Sequence, residues 1–232
     1  MNRRLLWILL CLLGHAVVAM AQPKVPRELQ FAVLGGSNLS SYTFYPSVTQ
    51  DKSVGYVAGV GVRYIEEKFF GLQGELLLTR RGIKDRYDSA SDYHFERYLT
   101  YIEMPLMAHV YFNLGKKNEV ALDLGPKLGY YLSDSSKDNL DAKFDLSKAE
   151  HGYAHHDMKV SQKLDYGIQA GLGYEFKFSR QLSLQVQGRY YFGLGDMFPN
   201  TKADTFETSA NQSVQIVLAL WFHHRIKIRG NK

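Results

Sequence analysis

Two stretches of this chain alternate so strictly that only one kind of secondary structure accommodates them. Over 53–65, Val54, Tyr56, Ala58, Val60, Val62 and Tyr64 share one parity, and Ser53, Gly55, Val57, Gly59, Gly61 and Arg63 share the other. Over 163–177, Leu164, Tyr166, Ile168, Ala170, Leu172, Tyr174 and Phe176 alternate with Asp165, Gly167, Gln169, Gly171, Gly173, Glu175 and Lys177. Helical spacing cannot hold a period of two for so long, whereas a strand sends successive side chains to opposite faces. The second face is unusual. Glycine weakens a strand interior, and charged side chains do not belong in an ordinary core.

Reading the rest of the chain for the same period predicts eight strands, at 29–39, 53–65, 69–81, 98–112, 119–133, 163–177, 181–194 and 213–223. From the second onward each keeps one parity apolar. Short connections near 66–68, 113–118 and 178–180 alternate with long ones over 40–52, 82–97, 134–162 and 195–212. An even number of strands with turns short at one end and long at the other predicts an all-β, eight-stranded antiparallel up-and-down transmembrane β-barrel. Its short turns are periplasmic and its long loops extracellular.

A soluble lipocalin-like barrel has the same strand count, so the choice rests on which face points inward. In a lipocalin the apolar row lines a ligand cavity; in a membrane barrel it meets lipid. Tyr56 with Tyr64, and Tyr166 with Tyr174, bracket the apolar rows at a common spacing. Eight residues of tilted strand project to roughly 20 Å, near the separation of two aromatic girdles. Phe, Tyr and Trp make up 13% of the chain, with 16 tyrosines, which suits strands and membrane interfaces. Outer-membrane lipid is therefore the expected surroundings.

The same parity sends Arg63, Arg81, Lys127, Lys177 and Arg189 inward with Glu75, Glu103, Asp123, Asp165 and Glu175. Side chains fill a narrow barrel, so buried charges there must pair. A turn centred near 115 sets Glu103 beside Lys127, and a loop centred near 89 sets Glu75 beside Glu103. The expectation is a mid-barrel layer of Glu75, Glu103 and Lys127, reached by Arg189, with Arg63 and Glu175 completing an ion-pair network that closes the lumen. Gly59, set opposite Glu75 by the tight turn, leaves room for the longer side chain. Two adjacent carboxylates could also act as an acid/base pair, as in glycoside hydrolysis, but an ion-pair network explains them better. Pro105 and Pro126 lack ladder donors and fall nearly opposite each other, which predicts a bulge or weakened pairing there.

Residues 1–21 carry Arg3 and Arg4, an apolar run over 5–13, and Ala19-Met20-Ala21, the pattern of a secretory signal peptide. The run is shorter than the roughly 20 residues of a membrane-spanning helix. The expected division is a signal peptide at 1–21, the barrel at 22–223 and a basic tail at 224–232. Cys11, preceded by Leu9-Leu10, falls inside the leader, so the exported chain has no thiol chemistry. The formal charge of +5, of which Arg3 and Arg4 supply two units, is too mild to argue for nucleic acid as a partner.

Other motifs are weaker. "GVGVRY", "GLGYEF" and "GLGD" lack the third glycine and the strand-to-helix context of a nucleotide loop. His151, His155, His156 and Asp157 in the third long loop suit a metal only if that segment is helical, and exposed loop histidines are the simpler explanation. With His94 they could serve a hydrolase at the barrel rim, but no nucleophile signature accompanies them. No catalytic residue, cofactor or metal is assigned. The last strand, "SVQIVLALWF", looks like the terminal strand that outer-membrane assembly machinery recognises, although the basic tail follows it.

"GLQGELLLTRRG" at 71–82, "YIEMPLM" at 101–107, "LGPKLGYYLS" at 124–133, "DYGIQAGLGYEF" at 165–176 and "GLGDMF" at 193–198 resemble, in order, the recurrent blocks of the Bacteroidetes outer-membrane β-barrel family often labelled PorT-like. The resemblance implies a small outer-membrane barrel and, for the family's namesake, an accessory role in protein secretion through the type IX pathway. Both prolines sit inside these blocks. The reading is a non-enzymatic outer-membrane barrel serving envelope structure or a secretion or surface complex; the alternatives are a rim hydrolase and a lipocalin-like binder.

Overall fold

The computed structural model describes residues 27–45, 50–85, 95–138, 159–160, 162–198 and 208–225. The leader at 1–21, His94, the histidines at 151–156 with Asp157, and most of the tail lie outside them. Among the described residues the chain forms β1 (Glu28–Tyr45), a two-residue β2 (Gln50–Asp51), β3 (Ser53–Glu67), β4 (Phe70–Asp85), β5 (Phe95–Leu114), β6 (Asn118–Asp138), β7 (Leu164–Lys177), β8 (Leu182–Asp196) and β9 (Thr208–Arg225). All pairings are antiparallel. β1 pairs with both β3 and β9, and β4 with β5, so the eight long strands close into a ring with β2 attached to β4. Closure leaves no sheet edge along the long strands, as a bilayer requires of a spanning sheet.

The barrel is inside out relative to a soluble one. Odd-numbered residues from β3 to β9, and even-numbered ones in β1, point into the lumen. Glu103, Asp123, Lys127 and Arg81 are 0% exposed, whereas Leu172 is 63% and Ile216 58% exposed. This outward apolar row excludes the lipocalin arrangement, where it would line the cavity. The first strand had shown no clear alternation because its inward row is itself partly apolar. Ala32 and Leu34 pack inside with Val57, Leu77, Val217, Ala219 and Trp221. A second interior cluster, Tyr42, Phe44, Ile83, Leu99, Tyr101, Met197 and Phe198, lies toward the long loops. The lumen is thus filled by apolar as well as charged groups.

Tight turns fix the register at the short-loop end. In the β3–β4 turn Phe69 has a φ of 77°, and its carbonyl accepts the Tyr111 N–H at 3.0 Å. In the β5–β6 turn Gly115 holds a φ of 87°, a conformation glycine adopts without a side-chain penalty. These two registers, and that of β4 with β5 across its long loop, each differ from the sequence expectation by two positions. Gly61, not Gly59, lies opposite Glu75, and Glu103 faces Leu77 on one side and Gly129 on the other. The midpoint of an antiparallel connection counts double, so moving a loop centre by one residue slides every partner by two. Gly59 serves a different purpose: a Cβ there would lie 2.1 Å from the Leu76 carbonyl oxygen, so it permits close approach of β3 and β4.

The prolines weaken pairing without a bulge at their own level. The β5–β6 bridges stop at Pro105–Lys127 and resume at Ala108–Leu124 in the same register; the irregularity in this pair is at Thr100/Tyr101. Strand β9 continues to Arg225, two residues beyond the boundary read from the sequence.

Candidate functional site in the barrel interior

Adjacent strands carry charges at inward positions, and the closed ring brings them across the lumen. Nearest the short turns, Arg63 on β3 donates to Glu175 Oε2 at 2.9 Å, to Gln73 Oε1 at 2.8 Å, to Gln30 Oε1 at 3.0 Å and to Gln185 Oε1 at 3.1 Å. Its guanidinium stacks 3.9 Å over Trp221, whose indole N–H donates to Gln185 at 3.0 Å. At mid-height Arg189 on β8 grips Glu75 on β4 with two bonds of 2.7 and 2.8 Å, the planar fork matching the carboxylate. Gln73 supplies a further bond to Glu75 at 2.6 Å.

Toward the long loops, Arg81 joins Glu103, through Nε at 2.8 Å, to Asp165, while Lys127 Nζ donates to the other oxygen of Glu103 at 2.9 Å. Tyr191 lies under the Lys127 ammonium, 3.7 Å from ring centre to nitrogen. A water-excluded lumen makes such pairing obligatory, because an unpaired charge would bear its full desolvation cost.

The expected layer of Glu75, Glu103 and Lys127 is therefore two clusters. Glu75 is held by Arg189, and Glu103 by Arg81 and Lys127. The two carboxylates are not neighbours in register, because the β4–β5 loop is centred near residue 90 rather than 89. Each carboxylate is neutralised by its own cations, the arrangement of an ion-pair network. Arg63 and Glu175 form their own layer.

Sequence reading missed a fourth cluster. His109 Nδ1 lies 2.6 Å from Asp123 Oδ1, and its Nε2 is 3.7 Å from Glu119, which takes a 2.8 Å bond from Lys177. Gln187 donates to Asp123 and accepts from Arg189 at 2.7 Å, linking this cluster to mid-height. The parity that exposed Glu103 also placed His109 and Glu119 inward, so the signal was present. Glu119 stood at a predicted strand end and His109 was not counted as a charge.

On the outer face, Tyr56, Tyr166 and Tyr174 are exposed and Tyr64 is half-buried, all pointing away from the lumen. Phe70, Phe112, Phe178 and Phe222 add exposed rings at the short-turn end, and Tyr45, Tyr130, Tyr190 and Phe192 at the other. Beyond that upper ring, β5 and β6 extend into water. There Arg97 donates to Asp134 at 2.8 Å. Burial raises the Asp134 carboxyl, but the Tyr131 hydroxyl and Arg97 outweigh it and hold the group below the usual range.

The model of a family described as outer membrane protein beta-barrel domain matches residues 20–199. No curated protein matches the sequence. Among solved structures, the outer membrane protein OprG from Pseudomonas aeruginosa aligns with a TM-score of 0.50 at 8% identity, covering 88% of this chain and 99% of that one. Ail, the attachment invasion locus protein of Yersinia pestis, in complex with the heparin analogue sucrose octasulfate, aligns with a TM-score of 0.44 at 13% identity, over 86% of this chain and 100% of that one. Neisserial surface protein A aligns with a TM-score of 0.43 at 11% identity, over 87% and 99% of the two chains. The family match spans most of the strands whose apolar rows face outward, so the chain belongs to the outer membrane protein beta-barrel domain family and resides in the bacterial outer membrane.

Proposed function

We propose that this protein is a non-enzymatic barrel whose lumen is closed by its own ion pairs, and that it works through its long loops as a structural or accessory component of an envelope complex. The observation that carries this reading is the pairing of Arg63 with Glu175, Arg189 with Glu75 and Arg81 with Asp165 across the lumen, and of Glu103 with Arg81 and Lys127 on its neighbouring strands. Such pairing spends the interior on closure and offers no path for ions. Outer-membrane lipid and the outer-membrane assembly machinery are its general partners. The PorT-like character of the sequence blocks supports a secretion-system or surface protein as its specific one. Loops are where a rigid barrel carries variable function.

Purified protein in planar bilayers is expected to give no large steady conductance, and stable porin-like steps would overturn the closed-lumen reading. Crosslinking in intact cells followed by detergent extraction and pulldown is expected to capture another envelope protein through the long loops. Recovery of the barrel alone, under conditions that capture a known envelope complex, would count against the accessory role.

A further inference from the structure

Among the described residues, the β4–β5–β6 wall differs from the rest of the barrel at one level. The β4–β5 bridges skip the positions Glu75/Pro105 and Leu76/Met104, and the β5–β6 bridges skip Leu106/Pro126 and Met107/Gly125, with unchanged register on either side. Antiparallel strands exchange bonds at alternate pairs, so one lost donor removes two successive bridges. Pro105 has no N–H to offer the Glu75 carbonyl, and Pro126 has none for the Leu106 carbonyl. Strand β5 thus loses ladder bonds on both sides between Met104 and Met107. A barrel wall in hydrocarbon depends on those bonds, so the wall is weakened here.

The outer surface is hollowed at the same place. A groove of about 670 Å³ runs from β1 and β3 across β4 to the Pro105 gap on β5, bounded by Phe31, Val60, Val62, Leu76, Met104 and Leu106, with Gly74 at its floor. Gly74 presents no side chain between Leu72 and Leu76, and a Cβ there would first meet Leu106 Cδ1 at 3.8 Å, so the hollow has room. Depth identifies what fills it. Val60 lies midway between Tyr56 and Tyr64 and is in register with Leu76. The groove therefore sits near the bilayer midplane, where the surrounding medium is lipid hydrocarbon rather than headgroups or water.

We infer that this seam is a binding site for one acyl chain of an outer-membrane lipid, seated over Gly74 against Leu76, Met104 and Leu106. The chain restores the packing that the missing side chain and the interrupted ladder leave open, and holds the seam shut.

The test reconstitutes the full barrel in phosphatidylethanolamine nanodiscs doped with a phospholipid carrying a diazirine at mid-chain. After photolysis, mass spectrometry is expected to find Leu76, Met104 and Leu106 labelled in several-fold excess over Ile168 and Leu172, which face lipid at similar depth on β7. A headgroup-borne diazirine is expected to show no such excess. Gly74→Leu, which fills the floor, should bring labelling down to the β7 level, while Gly188→Leu on the far wall should leave the excess intact. Equal labelling of the two walls in the unaltered protein overturns the proposal without any variant. So does an excess that survives Gly74→Leu, or a dimer in the nanodisc with these residues shielded from the mid-chain probe, which would make the occupant a second copy.

Discussion

Arg81→Met is expected to destabilise the barrel by about 3 to 5 kcal/mol, the usual cost of removing one partner from a buried ion pair. Arg81 is wholly buried and bridges Glu103 and Asp165. Its loss leaves Glu103 with Lys127 alone and takes the guanidinium from Asp165. Methionine fills much of the volume among Tyr101 and Tyr191, so the loss is electrostatic rather than a cavity. Urea titration of the reconstituted barrel, followed by its heat-modifiable migration on gels, measures the effect. Adding Asp165→Asn should recover a good part of it, because the amide strands no charge while Glu103 keeps Lys127 as its partner. Lys177→Met provides the contrast. Lys177 pairs with Glu119 at the rim with a side chain 27% exposed, so its replacement should cost much less. An Arg81→Met barrel as stable as the unaltered protein would show that the interior pairs are incidental.

Gly59→Ala is expected to be among the more damaging single-methyl additions in the wall. The new Cβ would lie 2.1 Å from the Leu76 carbonyl oxygen and 2.9 Å from the Leu77 Cα. Both are backbone atoms, so the conflict is relieved only by parting β3 from β4. Overpacking of this kind costs roughly 1 to 3 kcal/mol in a well-packed interior, occasionally more. Here it also weakens ladder bonds that lipid cannot replace. Gly35→Ala is the matched control, since a Cβ at Gly35 meets nothing within 4 Å. The same titration, with the yield of folded barrel, should separate the two variants. Equal behaviour would show that the close strand approach at Gly59 is not required.

Much of the architecture was legible because a strand's period of two is a local property. Parity in 53–65 and 163–177 sorted Arg63, Asp165 and Glu175 from the lipid face without any knowledge of strand partners. Where parity mixed residue classes, as in β1 with Ala32 and Leu34 turned inward, the pattern was dim. The prolines were readable as a weakness for the same local reason: a residue without an N–H cannot donate wherever it is placed. Which carbonyls lose a donor, and that a hollow lies over them, required the neighbouring strands.

By itself, the sequence determined which face of each long strand after the first meets lipid, that the interior charges must pair, and that the chain closes as an up-and-down barrel. Those conclusions follow from alternation, charge balance and connection length. The tertiary structure decided how those charges divide into separate clusters and which of them meet across the lumen. Arg189 found Glu75 and Arg63 found Glu175 because pairing across a barrel depends on register summed around the ring. A single residue of uncertainty at one turn moves every partner beyond it by two positions.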